Sequence, residues 1–127
     1  MAVGDIYRIF ARFDLDSLEG KERYTVEIGK THFTVVVLDS ITRQYEGKSD
    51  FIKLHYYPIR DWRQAGLKKA SYINISSTIS FDFREILKSG KYTGQLSFTD
   101  IKELARFIQT YKKRLEAYNK ANAKENP

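Results

Sequence analysis

Residues 24–38 read YTVEIGKTHFTVVVL, and this stretch decides which fold class the chain adopts. In its first part, 24–28, apolar residues alternate with polar ones, which predicts a strand that buries one face. The run at 33–38 is almost continuously apolar and β-branched, which predicts a second strand. Residues 29–32 between them are polar and begin with glycine, so we expect a tight turn there. The stretch therefore predicts a β-hairpin.

Further strands are predicted on both sides of this hairpin, because similar patterns recur at short intervals. They lie at 5–13, 51–57, 71–75 and 79–83. Polar loops at 14–22 and 39–50 and short helical turns at 61–66 and 84–88 separate them. Many short strands at close spacing are typical of a small barrel. We therefore expect a mainly β (α+β) fold built on a small β-barrel.

The C-terminal segment has a different period and predicts an amphipathic helix. Its apolar residues recur every three or four positions from Ile101 to Leu115. Ser97 is the predicted N-cap, and Asp100 follows three residues later, where it can return a hydrogen bond and complement the helix dipole. We therefore expect the helix to begin directly after Ser97.

The length of 127 residues suits a single domain with one core. We place this domain at 1–118 and expect residues 119–127 to fray, because they have little to bury. The absence of cysteine excludes a disulfide scaffold, a thiolate metal site and a thiol nucleophile. No signal-peptide pattern opens the chain, and no stretch approaches the roughly 18 apolar residues of a membrane span. We therefore expect a cytoplasmic protein that has no membrane partner.

Charge and motif spacing narrow the function classes. The chain has 22 Lys and Arg against 16 Asp and Glu, a net charge of +6, which suits a polyanionic partner or serves solubility alone. Its seven glycines are never clustered, which argues against a phosphate-binding loop. His32 and His55 lack the spacing of a helical metal site, and the acids of 14–22 are typical of a solvated loop. We expect neither a metal nor another cofactor.

A cationic surface with hydroxyls and aromatics remains, and this suits RNA cleavage without a metal. Such cleavage requires fixed positive charge over the phosphate, whose oxygens gain charge in the transition state. Arg23 enters a predicted strand from a loop, and Thr42 follows another strand, so rigid elements would position both. Periodicity alone does not distinguish them from the other Arg and Thr residues.

At these residues the chain resembles the MazF/PemK-type toxins of bacterial type II toxin–antitoxin systems, in particular a PemK-like branch. The resemblance extends from residue 4 to about residue 115 and is carried by motifs in a matching order. These are GDIY at 4–7, GKER at 20–23, VLDSIT at 37–42 with QY at 44–45, FIK at 51–53, IRDW at 59–62, AGLKK at 65–69, SYIN at 71–74, and GQLS at 94–97 with DI at 100–101.

The resemblance implies an SH3-like barrel of the MazF/CcdB type with a C-terminal helix, and a homodimer neutralised by a cognate antitoxin protein. It also implies a metal-independent endoribonuclease that cleaves single-stranded RNA, including mRNA, to 2′,3′-cyclic phosphate and 5′-hydroxyl ends. Its catalytic positions correspond to Arg23 and Thr42. Five neighbouring residues are predicted RNA contacts because they add charge, hydroxyls or an aromatic ring: Lys21, Ser40, Arg43, Tyr45 and Lys48.

The sequence departs from the family pattern beside both catalytic positions. Tyr24 replaces the proline that usually follows the motif arginine, so a fixed φ is lost. Arg43 stands where many relatives carry a small hydroxyl residue. Two other function classes therefore remain open. One is a barrel that binds nucleic acid without cleaving it, and the other is a protein-interaction module.

Overall fold

The computed structural model describes residues 2–11, 21–32 and 34–123, and these contain a six-stranded antiparallel sheet. The strands are β1 (Asp5–Ala11), β2 (Lys21–His32), β3 (Val35–Thr42), β4 (Tyr56–Pro58), β5 (Tyr72–Asp82) and β6 (Lys91–Gln95). They are arranged across the sheet in the order β4-β5-β3-β2-β1-β6. The helices are α1 (Asp50–Lys53), α2 (Phe83–Ser89), α3 (Phe98–Gln109) and α4 (Tyr111–Ala123). The predicted mainly β (α+β) class is confirmed.

The predicted barrel is not closed by hydrogen bonds within the described residues, because the end strands β4 and β6 do not pair with each other. β4 is three residues long and ends at Pro58, which has no N–H to extend a ladder. The turn at 61–66, which follows β4, lies against β6. A Cβ added to Gly66 would come within 2.5 Å of the Thr93 carbonyl oxygen, so the two backbones are in contact. The sheet is open, and this turn spans the distance between its two ends.

The predicted hairpin is formed, but its turn is not at residues 29–32. β2 continues to His32, and β3 begins at Val35. Gly29 has no positive φ, and register shifts occur in the ladder on either side of it. These irregularities let β2 continue through the polar stretch, since a bulge absorbs an extra residue without ending the strand. Phe33, which belongs to the predicted second strand, lies outside the described residues.

The strand predicted at 51–57 is wrong in its first half. Residues Asp50–Lys53 form α1, because the Ser49 side chain accepts a hydrogen bond from the Ile52 N–H and caps the helix. Extended structure begins only at Tyr56. A short apolar run fits a helical turn as well as a strand, so its composition could not distinguish them.

Two further strands differ from the prediction. The runs predicted at 71–75 and 79–83 are joined in one long strand, Tyr72–Asp82, because a bulge opposite Asp39 and Ser40 absorbs the residues between them. Ser71 precedes this strand, and Phe83 begins α2. β6 was not predicted, because its five residues include a glycine and lack an alternating apolar pattern. The helical turn predicted after residue 83 is confirmed as α2.

The C-terminal helix begins as predicted but consists of two helices. Ser97 is the N-cap of α3, and its hydroxyl accepts from the Asp100 N–H at 3.1 Å. Thr110 separates α3 from α4. The Arg114 guanidinium donates to the carbonyl oxygens of Phe107 at 2.7 Å and Leu54 at 2.5 Å. These bonds hold the first turn of α4 to the C-terminal part of α3 and to the C-cap of α1.

The predicted frayed tail is only partly described. α4 continues to Ala123, so residues 119–123 are helical and the boundary placed at 118 does not coincide with the helix end. Residues 124–127 lie outside the described residues, as do the predicted loop residues 14–20 and the end of the first predicted strand. No helix in the described part of the chain is both long and apolar enough to cross a membrane.

The two faces of the sheet bury separate apolar clusters, since successive strand residues point to opposite faces. Ile6 packs in the larger cluster with Leu104 of α3. Its neighbour Tyr7 packs in the smaller cluster with Leu38 of β3 and Ile86 of α2. Burial of one such aliphatic side chain stabilises the fold by about 1.5–3 kcal/mol. The sheet is therefore held from both sides, with α3 covering one face and α2 the other.

Asp100 joins α3 to the segment after β4, and we call this region the Asp100 junction. One carboxylate oxygen of Asp100 accepts from the Tyr57 hydroxyl at 2.7 Å and the Arg60 N–H at 3.0 Å. The other oxygen accepts from the Asp61 N–H at 2.9 Å. The Ser97 hydroxyl lies 3.2 Å from this oxygen and 2.7 Å from a carboxylate oxygen of Asp61. Asp100 is fully buried, so these bonds replace the water that it loses on folding. The predicted N-terminal carboxylate thus serves a tertiary contact as well as its helix.

Candidate functional site

The ladder between β2 and β3 ends before either strand does. Its last pair at this end joins Thr25 to Ser40. The same register continued by two residues would set Arg23 opposite Thr42, but the two strands do not pair there. The two predicted catalytic residues therefore stand at the same end of the ladder, one on each strand, where the strands separate.

A cavity of about 510 Å³ lies at this point. β2 remains paired to β1 as far as Lys21 with Ala11, and β3 remains paired to β5 as far as Thr42 with Tyr72. The opening is therefore in the middle of the sheet and not at its edge. The lining residues come from three strands and from the chain segments beside them: Arg8, Glu22, Arg23, Tyr24, Ser40, Ile41, Thr42, Arg43, Lys68 and Ser71.

Positive charge predominates around the cavity. Four cationic side chains line it, whereas Glu22 contributes the one carboxylate among the described lining residues. Glu22 forms an ion pair with Arg8, with 3.2 Å between Arg8 Nε and Glu22 Oε1. Both side chains are nearly half exposed. Such an exposed pair stabilises the fold little, by about 0–1 kcal/mol. The cavity therefore suits an anion, because four cations on its walls face a single carboxylate.

Hydroxyl groups line the β3 side of the cavity. Thr42 is half-buried, and its Oγ1 accepts from the Gln44 N–H at 3.1 Å, which orients the side chain. Its hydroxyl hydrogen can still be donated to another acceptor. Ser40 is buried two residues earlier, and Ser71 donates its own hydroxyl to the Lys69 carbonyl at 2.8 Å. An oriented hydroxyl beside cations is the donor set that binds a phosphate oxygen.

Tyr24 stands between two of the arginines. The guanidinium carbon of Arg8 lies 5.7 Å from the centre of the Tyr24 ring, and that of Arg43 lies 6.0 Å from it. Both distances fall within the range of cation–π attraction. Tyr24 therefore takes part in the charged wall of the cavity.

Four of the predicted site residues line the cavity together: Arg23, Ser40, Thr42 and Arg43. Tyr45 and Lys48 lie in the loop beyond β3 and outside this lining. The Lys48 N–H donates to the Tyr45 carbonyl at 3.2 Å, so the two residues form one turn. Lys21 is the first residue of β2, and its side chain lies outside the described residues.

Three other charged residues of the lining, Arg8, Glu22 and Lys68, were not among the predicted site residues, although Glu22 stands in the GKER motif at 20–23. Arg8 pairs with Tyr24 across the β1–β2 ladder, so its position depends on a register that composition does not reveal. Lys68 arrives from the segment before β5. The resemblance offered one signal for Lys68, because its motif at 65–69 contains two adjacent lysines.

Buried carboxylates lie close to the site on β2 and β3. Asp39, directly before Ser40, is fully buried and accepts a hydrogen bond from the Thr78 hydroxyl. Burial raises the pKa of Asp39 to about 6, and the bond from Thr78 opposes this only in part. Burial likewise raises the pKa of Glu27, whereas the nearby Lys30 lowers it. Burial therefore favours the neutral form of both carboxyl groups more than water does.

The histidines and acids provide no metal centre in the part of the chain that the structure describes. No group of three or more His, Asp or Glu side chains is arranged there to hold an ion. His55 lies outside the cavity lining, and its Nε2 makes a 2.6 Å hydrogen bond with the Tyr111 hydroxyl of α4. The His32 side chain lies outside the described residues. The chemistry available at the cavity is that of fixed cations, hydroxyls and one carboxylate.

Comparison with known proteins adds no functional assignment. The chain matches no protein-family model and no curated protein.

Proposed function

We propose that the protein is the toxin of a toxin–antitoxin system and acts as a metal-independent endoribonuclease on single-stranded RNA. One observation carries this proposal. Arg23 and Thr42, which the MazF/PemK resemblance selects as catalytic positions from separate motifs, line the same cationic cavity. Sequence distance gives no reason for them to meet, so their common location supports the motif assignment.

The reaction would be a transfer of the phosphate to the neighbouring 2′-oxygen. A bond forms between O2′ and phosphorus while the bond from phosphorus to O5′ breaks, which yields a 2′,3′-cyclic phosphate and a 5′-hydroxyl. Arg23 would stabilise the charge that develops on the phosphate oxygens, and Thr42 would hold one of these oxygens. Glu22 can accept the proton of the 2′-hydroxyl, because its carboxylate lines the same cavity. The leaving O5′ would take its proton from a water molecule, while Arg23 stabilises the negative charge on that oxygen.

The same proposal includes the finer fold and the partners that the resemblance implies. The fold would be an SH3-like barrel, and the contact of the 61–66 turn with β6 supports it by bringing the sheet ends together. The protein would act in the cytoplasm as a homodimer, and a cognate antitoxin would neutralise it. Ser40 and Arg43 would bind RNA inside the cavity, while Lys21, Tyr45 and Lys48 would contact it outside.

A second candidate is an RNA-binding protein without cleavage. The observation that favours it is Tyr24, which lies between Arg8 and Arg43. An aromatic ring flanked by cations suits stacking of an unpaired base beside its phosphates. Tyr24 does not provide the fixed φ of proline, and the backbone at Arg23 is held by pairing with Ile9 in the β1–β2 ladder.

The test is cleavage of a long single-stranded RNA in EDTA by the wild-type protein and by Arg23→Ala. We expect cyclic phosphate ends from the wild type and a rate about 10²–10³-fold lower for the variant, as for loss of one donor to a developing charge. Arg23→Lys should recover only part of the rate, because lysine lacks the planar fork. Arg84→Ala is the matched control, since Arg84 is an exposed arginine of α2 that pairs with Asp82.

The outcomes separate the two candidates. Cleavage that persists in Arg23→Ala would contradict the assigned site, even if the wild type is a nuclease. Intact RNA with every protein, together with salt-sensitive binding, would favour the binding protein. A wild type that neither cleaves nor binds RNA would favour the protein-interaction module.

A further inference from the structure

Three tyrosines form an aromatic cluster beside the cavity, and we call it the tyrosine stack. Tyr45 and Tyr72 lie face to face, with ring centres 4.2 Å apart and planes within 6° of each other. Tyr56 of β4 lies 6.2 Å from Tyr45 in a tilted arrangement. The Lys53 ammonium is 4.7 Å from the centre of the Tyr45 ring. The stack therefore combines aromatic faces with a cation.

The tyrosine stack belongs to neither apolar core. None of its three rings is among the residues of the two clusters or among the partly buried residues packed against them. All three tyrosines are half-buried, so part of each side chain reaches solvent. Tyrosines kept only to fill a core would be expected in one of these clusters. Their position instead leaves aromatic surface open for a ligand.

The stack adjoins the cavity through β5. Tyr72 pairs with Thr42 in the β3–β5 ladder, so the two side chains are cross-strand neighbours. Tyr45 covers one face of Tyr72, and Tyr72 is half-buried, so part of its side chain reaches solvent. Tyr72 does not itself line the cavity and lies next to it through Thr42. A planar group placed on the other face of Tyr72 would continue the stack next to Thr42.

The charges around the stack favour an anionic chain as the source of that planar group. Arg43, Lys48 and Lys53 belong to the loop and helix that carry Tyr45. Glu46 and Asp50 lie in the same segment and oppose them, so the local excess is one positive charge. The cavity beside it adds further cations. A nucleotide whose phosphate is held at Thr42 meets both the charge and the aromatic face.

We propose that the tyrosine stack is a binding subsite for one unpaired nucleobase, and that the base stacks on Tyr72 next to the phosphate held at Thr42. This inference rests on the proposed RNA function, because it assumes that RNA enters the cavity. Tyr45 supports the Tyr72 ring from behind, and Lys53 can turn from Tyr45 to a backbone phosphate. Stacking of this kind tolerates every base, so the subsite positions the strand more than it selects sequence.

The test uses short single-stranded RNA with 2′-O-methyl groups, which cannot be cleaved because O2′ is blocked. A fluorescent 2-aminopurine is placed at each position in turn, and a second series carries an abasic site at the same positions. For the wild type we expect quenching at one position, and about tenfold weaker binding when that position is abasic. For Tyr72→Leu we expect about tenfold weaker binding and no further loss from the abasic site, since both changes remove the same contact.

Two further variants keep the test interpretable. Tyr45→Leu lies in a loop, so it should remove the support of Tyr72 without disturbing a strand. Tyr92→Leu is the matched control, because Tyr92 is an exposed tyrosine of β6 at the opposite end of the sheet. Its binding should equal that of the wild type. Thermal unfolding of every variant shows whether a loss of binding follows from a loss of fold.

The results distinguish this inference from the proposed function. If the protein cleaves RNA but the Tyr72→Leu and abasic losses simply add, the stacking subsite is wrong and the nuclease stands. If the wild type does not cleave but shows the coupled loss, the subsite stands and the nuclease proposal fails. If the wild type does not bind the blocked RNA, the subsite is wrong whatever the cleavage assay shows.

Discussion

The Asp100 junction and the cavity between β2 and β3 are both rich in polar groups, but these groups differ in what they bind. At the junction, both carboxylate oxygens of Asp100 accept hydrogen bonds from groups of the same chain. At the cavity, four cations and the Thr42 hydroxyl, whose hydrogen can be donated to a ligand, surround a volume of about 510 Å³. Polar groups satisfied internally hold a fold, whereas polar groups gathered around an opening suit a ligand. We therefore expect the two regions to respond differently to mutation.

The largest expected effect on stability is that of Asp100→Ala. It leaves the Tyr57 hydroxyl and the N–H groups of Arg60 and Asp61 without their acceptor. We expect a loss of about 4 kcal/mol in the free energy of unfolding, measured with urea. The RNA cleavage rate per folded molecule should stay at the wild-type level, because the junction does not line the cavity.

Asp82→Ala is the control for this prediction. Asp82 also caps a helix, but it lies at the surface and pairs with the exposed Arg84. Its loss should lower the free energy of unfolding much less than the loss of Asp100 does, because it removes only a surface cap and a surface ion pair. Equal losses of unfolding free energy for Asp100→Ala and Asp82→Ala would contradict the structural role of the junction. A lower cleavage rate in folded Asp100→Ala would contradict its separation from the cavity.

Asp39→Asn sharpens the comparison, because Asp39 is a buried carboxylate that has fewer donors than Asp100. Its pKa in the folded protein is about 6, above its value in the unfolded chain, so the folded state binds the proton more tightly. The stability that this group contributes is present in acid and is lost as the pH rises through about 6. We expect Asp39→Asn to make the free energy of unfolding less dependent on pH. At pH 7 the variant should be more stable than the wild type by about 2 kcal/mol.

The measurement is urea unfolding of both proteins at a series of pH values. Some decline with rising pH should remain in the variant, since burial also raises the pKa of Glu27. Asp82→Asn should act in the opposite direction, because its pairing with Arg84 lowers the pKa of Asp82. The Asp82 stabilisation is present at neutral pH and is lost in acid. Parallel stability curves for wild type and Asp39→Asn would show that Asp39 does not titrate as its burial indicates.

The smallest expected effect is that of Lys68→Ala at the cavity. Lys68 is exposed, and its charge would contact the RNA backbone without specific geometry. We expect RNA affinity to fall a few-fold, by about 1 kcal/mol, and the slope of log K against log salt to decrease by about 0.7. Lys88→Ala on α2 is the control, with unchanged affinity and slope expected. Identical salt slopes for wild type and Lys68→Ala would place the RNA backbone elsewhere.

Local signals predicted the parts of the fold that depend on neighbours in sequence. The period of the C-terminal segment and the hydroxyl of Ser97 were sufficient to place the start of α3. Alternation in 24–28 and the β-branched run at 33–38 were sufficient to predict the hairpin of β2 and β3, although Gly29 proved to be a strand residue and not a turn residue. The run at 51–57 was divided between α1 and β4, because a short apolar run fits either structure.

The candidate site followed the same division. The resemblance selected Arg23 and Thr42, and Ser40 and Arg43 were predicted beside them for their hydroxyl and charge; all four line one cavity. Arg8 and Lys68 were not identified, because they join the site through strand register and through the path of the segment before β5. The tyrosine stack was predicted only in part. Tyr45 was a predicted RNA contact, but its ring partners Tyr56 and Tyr72 come from the strands β4 and β5.

The amino-acid sequence alone determined the elements whose stabilising contacts are local: a strand's alternation, a helix cap and an amphipathic stripe each lie within a few residues. Only the tertiary structure decided where the β2–β3 ladder ends and which side chains surround the resulting opening. It also decided that both oxygens of Asp100 are satisfied by groups far away in the sequence. Hydrogen bonds and charges act over a few ångströms in space, so their partners depend on how the strands are paired and not on their order in the chain.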